Sequence, residues 1–150
     1  MSDTSISGLK STIMQRISDT VDKVQDVADY DKTTFRGFPA VCVICSRNQN
    51  SYISTAQNER VFGFAIRVYE QIENVPEPDA LSDSAKQRAE KIMERVVSQI
   101  IDAFDKFYEF NGAADFCRAI PSIWGYAKLD CGWCRVAEIN LEVVQNYTVV

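Results

Sequence analysis

Apolar residues recur at three- and four-residue intervals from Ile6 through Leu9, Ile13, Ile17, Val21, Val24 and Val27, with polar residues between them. That period predicts an amphipathic helix over 5–28, with Asp3 or Ser5 placed to cap its start. The pattern dissolves over 28–34, where Asp29 and Asp31 mark a polar connection, and Gly37 and Pro39 punctuate the approach to a new element. Ala40 to Cys45 is then apolar throughout and rich in β-branched residues, as a strand covered on both faces would be. The polar stretch 46–57 reads as a loop. From Glu59 to Ile72 the period changes to two: Phe62, Phe64, Ile66 and Val68 share one face, and Val61, Gly63, Ala65, Arg67 and Tyr69 the other.

Pro76 and Pro78 break the pattern, and Ser84 with Gln87 offers a capping box ahead of a second helix. Its stripe is Ala85, Ala89, Ile92, Val96, Ile100, Phe104 and Phe107, and Asn111-Gly112 supplies a left-handed stop. After an irregular patch around Cys117 and Pro121, residues 123–129 and 134–144 read as two strands joined by a turn at Asp130-Cys131-Gly132-Trp133. Ala137, Ile139, Leu141 and Val143 alternate with Glu138, Asn140 and Glu142. The order αββαββ predicts an α+β domain: a four-stranded, mainly antiparallel sheet with two long helices packed on one face. One domain spans 1–150, divided into an N-terminal helix at 5–28, the sheet and second helix at 39–144, and a tail at 145–150.

Length and composition suit this reading, since 150 residues with 46% hydrophobic and 25% charged positions make one ordinary globular core. No apolar run reaches the length of a membrane span, and the first residues carry no basic-then-apolar leader, so synthesis and use in a cytosol are expected. The sequon Asn146-Tyr147-Thr148 then carries no sugar. A net charge of −5 argues against a protein whose main task is to grip nucleic acid. The absence of histidine removes the commonest general base, the commonest metal ligand and every imidazole triad. Phosphate-binding loops and nucleophile elbows are missing too, so no catalytic residue, cofactor or metal is expected.

Cys42 and Cys45, and Cys131 and Cys134, stand at a spacing that zinc sites and dithiol centres use. In a strand, however, Cys42 and Cys45 point to opposite faces, which disfavours a shared tetrahedral ion. Cys131 occupies a hairpin turn and not the helix start that would lower a thiol pKa. Buried free thiols are the expected state of the first pair, and a disulfide closing across the turn is open to Cys131 and Cys134, leaving Cys117 unpaired.

The long strand Asn58-Glu-Arg-Val-Phe-Gly-Phe-Ala-Ile-Arg-Val-Tyr, the helix Ala89-Glu-Lys-Ile-Met-Glu-Arg-Val-Val-Ser-Gln-Ile-Ile-Asp-Ala-Phe-Asp-Lys, and Trp124-Gly-Tyr followed by Arg135-Val-Ala-Glu-Ile-Asn-Leu-Glu-Val resemble, in order and spacing, the tail terminator or tail completion proteins of long-tailed bacteriophages. The resemblance runs from about Pro39 to Val144. It implies a virion structural protein, assembled in the host cytoplasm, that forms a hexameric ring on the tail tube. Such a ring ends tail polymerisation, joins a head completion or connector protein at the neck, and lets DNA pass through its lumen without specific binding.

A ring needs a sticky surface besides the core. The sheet face away from the helices offers Val61, Ala65, Tyr69, Val136 and Val144 among Arg67, Glu138 and Glu142, an apolar centre with a charged rim. The same composition also fits a solvated face. The loop from Arg47 to Gln57, carrying Tyr52, is placed to reach a neighbour or to be a plain hairpin connection, and the tail with Tyr147 to extend a neighbour's sheet or to fray. Another neck subunit is the alternative reading, and a cytosolic thiol oxidoreductase a remote one.

Overall fold

A computed structural model describes residues 5–52, 57–107, 109–112 and 114–148. Helix α1 spans Ile6–Thr20, and the Ser5 hydroxyl accepts the Gly8 N–H at 3.0 Å, the capping expected of that residue. Asp3 lies outside the described residues. The helix is shorter than its periodicity predicted. At Val21 the backbone is already extended, Lys23 turns with φ of 64°, and Asp26–Ala28 forms a short strand, β1. Apolar residues at Val21, Val24 and Val27 fit a helix, but they fit equally a turn and strand that return Val27 to the same core.

Strand β2 (Ala40–Tyr52) pairs parallel with β1 and antiparallel with β3 (Gln57–Glu73). The predicted loop over 46–57 is therefore mostly ladder. After a bulge between Cys45 and Arg47, pairing continues to Tyr52 opposite Asn58, and the connection falls outside the described residues. Backbone pairing needs no apolar side chain, so a polar ribbon leaves no period to read.

Helix α2 (Asp83–Asp105) is capped by Ser82, whose hydroxyl accepts the Ala85 N–H at 3.3 Å, and not by Ser84, which lies inside the first turn. It ends at Lys106. Gly112, with φ of 87°, instead closes a 3₁₀ turn over Phe110–Gly112 that tucks Phe110 against Phe104. Strands β4 (Phe116–Leu129) and β5 (Gly132–Thr148) follow, both longer than predicted. Their turn requires glycine: Gly132 has φ of 117°, and a Cβ there would lie 2.6 Å from the Asn74 Cα. Residues 145–148, expected as a tail, extend β5 along β3 of the same chain.

The sheet has five strands in the order β1-β2-β3-β5-β4, mixed because β1 is parallel, where four were expected. Both helices lie on one face, as predicted. Leu9, Ile13, Ile17, Met93, Val96, Ile100 and Phe104 meet Val41, Val43, Phe64, Ile66, Val68, Ile139 and Leu141 there, all of them fully buried. Each large side chain of this layer contributes about 1.5–3 kcal/mol. No helix among the described residues is long and apolar enough to cross a membrane.

Candidate interface on the open sheet face

Register puts Arg67 opposite Glu138, Gly63 opposite Glu142 and Val61 opposite Val144, all on the face turned away from the helices. The sequence did not foretell that the segment between β1 and β2 folds across one end of this face. Phe35 lies 5.1 Å from the Tyr69 ring, and Phe35 and Phe38 close a small second core with Cys42, Tyr69 and Cys134. A buried carboxylate clamps that segment. Asp26 accepts hydrogen bonds from Lys32 Nζ at 2.9 Å, the Arg36 N–H at 3.0 Å and Arg36 Nη2 at 3.3 Å. Burial alone would raise its pKa, but the bonds from Lys32 and Arg36 outweigh it and hold the carboxyl below its usual range.

The flap changes what the predicted interface residues offer. Tyr69 is 6% exposed and donates to Asp31 Oδ1 at 3.2 Å, so it belongs to an internal seam and not to an open surface. Burial and then the Asp31 charge push its phenol up to about 12. Arg67 is held by Glu138 Oε1 and Asp31 Oδ2, both at 2.9 Å, and the bond to Glu138 leads in raising its pKa. Val144 is buried and Val61 half-buried. Arg47 remains exposed and reaches Glu142 Oε2 at 3.3 Å. The main chains of Tyr52 and Tyr147 both pair with the strand around Asn58, while their side chains lie outside the described residues.

The sequence reading missed the open part of this face, which is the edge strand β4. Phe116, Ile120 and Ile123 are 42%, 40% and 70% exposed, and register sets Phe116 opposite Val144, Arg118 opposite Glu142 and Ile120 opposite Asn140. Arg118 Nη2 lies 3.3 Å from the same Glu142 oxygen that Arg47 uses. The alternation of Phe116, Arg118 and Ile120 with Cys117 and Ala119 was the available signal. Pro121 hid it, although proline is tolerated on an edge strand and here adjoins an irregular pairing between Pro121 and Trp124. Beside Ile123 a shallow cleft of about 250 Å³ opens over Gly125, Tyr126 and Val136.

No protein-family model matches the chain, and no curated protein matches it significantly.

The five cysteines are free thiols. Cys131 Sγ and Cys134 Sγ lie 3.8 Å apart, well beyond a disulfide bond length, so the bond that the sequence left open is not formed. Cys134 is fully buried, and burial followed by the neighbouring Cys131 pushes its thiol pKa up. Cys42 packs on the open side while Cys45 borders the helical core, the opposed placement that strand alternation demands. Cys117 is held under Phe104, with its thiol pushed up to about 12 by burial. Among the described residues no group of three or more His, Cys, Asp or Glu is placed to hold a metal ion.

On the helical side, Glu90 of α2 is paired across to the sheet. Arg135 donates to it at 2.7 Å and stacks over the Trp124 and Tyr126 rings at 5.1 and 4.7 Å, tying α2 to the edge of the sheet.

Proposed function

We propose that this chain is a virion structural subunit that forms a ring, hexameric by resemblance, capping the tail tube of a long-tailed bacteriophage and joining the tail to the neck. The observation that carries the reading is the two-sided sheet. One face is closed by both helices, while the other leaves the apolar row Phe116, Ile120 and Ile123 beside Arg47, Arg118 and Glu142. An apolar strip with a charged surround is the anatomy of a protein interface. Two helices on one face of a mainly antiparallel sheet also favour a terminator over another neck subunit, for which a helical bundle or small barrel would speak.

A net charge of −5 suits a ring whose lumen passes DNA without holding it, because retention comes from Lys and Arg neutralising phosphates. The thiol oxidoreductase reading loses ground on chemistry: Cys134 is buried with its pKa raised, the reverse of an activated thiolate. Incubating the purified chain with polymerising tail-tube protein tests the proposal. Tubes of arrested length bearing a ring of density at one end are expected. Tubes that grow on without bound chain contradict it.

A further inference from the structure

The exposed row on β4 carries cationic groups in an acidic protein. Arg47 of β2 and Arg118 of β4, with side chains 48% and 61% exposed, share one ion-pair partner among the described residues, Glu142. Such a patch suits an acidic surface with some apolar area beside it. The chain presents one at the far end of its second helix. Asp102, Asp105 and Glu109 are exposed and in no ion pair among the described residues; the cations at this end are Lys106 and Arg16, which donates to the Ala103 carbonyl and lies 4.7 Å over the Phe107 ring, so three carboxylates face two cations. The last helical turn holds no basic side chain, and the helix dipole adds negative potential at that end. These carboxylates sit beside the half-buried Phe107.

We infer that the Phe116–Ile120 stretch of β4 is a docking surface for the carboxyl-terminal end of α2 in a second copy of this chain, with Arg118 and Arg47 facing Asp102, Asp105 and Glu109. The inference rests on the ring reading for its biological setting and deepens it by naming the contact. Geometry sets the mode of assembly. Cys117, which alternates with Phe116 and Arg118, bonds the Phe104 carbonyl of α2, so the arginines point away from the helical layer to which the acidic end belongs. A patch on one layer meeting a patch on the opposite layer is a head-to-tail contact, which propagates into a closed ring or an open chain and not an isologous dimer.

A charge swap in the full chain, followed by sedimentation velocity over a range of concentration and salt, tests the contact. All the substituted positions are exposed, and circular dichroism verifies folding. Arg118→Glu alone, and Asp105→Lys with Glu109→Lys alone, are each expected to weaken self-association at least about tenfold, and the combined variant to regain most of it. Wild-type association should also weaken with added salt. A wild type that stays monomeric at every concentration overturns the contact, as does self-association unchanged in Arg118→Glu. Loss in that variant of binding to double-stranded DNA or polyglutamate, with self-association intact, would assign the patch to a polyanion instead. A hexamer indifferent to the swap sinks the contact and leaves the ring standing; charge-dependent open chains keep the contact and sink the hexameric ring.

Discussion

Replacing Glu70 by glutamine should stabilise the protein at pH 8 and leave it nearly unchanged at pH 4.5. Glu70 lies on β3 opposite Arg135, is 8% exposed, and its Oε2 has no hydrogen-bond partner among the described residues. Burial lifts its carboxyl from 4.5 to about 7 against the opposing pull of Arg88 and Arg95. The folded state therefore binds this proton more tightly than the unfolded state. Stability from this group is full below pH 4.5, falls as pH rises towards 7, and is flat above. At 1.36 kcal/mol per pKa unit, the loss across that window is about 3 kcal/mol. Glutamine fills nearly the same volume and does not ionise, so it removes the loss. Asp26 also links stability to pH, but its lowered pKa acts below the usual carboxylate range, outside the window. Urea denaturation followed by the fluorescence of Trp124 and Trp133 at both pH values measures the difference directly. An equal difference at the two pH values, or a variant weaker than wild type at pH 8, would show that Glu70 does not carry this proton linkage.

Three further outcomes follow from the same geometry. Phe104→Ala empties the middle of the helical core and should cost about 3–5 kcal/mol in chemical denaturation, since the ring is fully buried against Phe110. Asp26→Ala removes the acceptor of three hydrogen bonds and should cost about 2–3 kcal/mol, and hydrogen exchange should show the 29–39 flap opening before the rest of the sheet. Under a small-molecule disulfide oxidant, Cys131, the more exposed of its pair, should react first and then close onto Cys134; mass spectrometry should find that linkage and leave Cys117 reduced.

Much of the fold was legible because its two periods are clean. The alternation of Phe62 to Val68 and of Ala137 to Val143, and the α2 stripe, each matched a face that the structure buries. The misses share one cause: apolarity reports burial, not backbone pairing. Residues 47–52 pair without an apolar period, and Val24 and Val27 reach the core without a helix. Phe116 and Ile120 stand in a strand that Pro121 disguised, and with them the open half of the candidate interface went unseen. The flap over Tyr69 was harder still, because Phe35, Phe38 and Asp26 become its anchors only once the chain has folded back. Arg67, Glu138 and Glu142, by contrast, were placed on the correct face by alternation alone.

The proposed closure of copies of this chain into a ring can be read from its mass in solution by light scattering, with and without tail tubes present. An assembly of about 101 kDa, six times the 16.9 kDa chain, is expected, formed alone or at tube ends. A monomer that persists at high concentration and in the presence of tubes would contradict it.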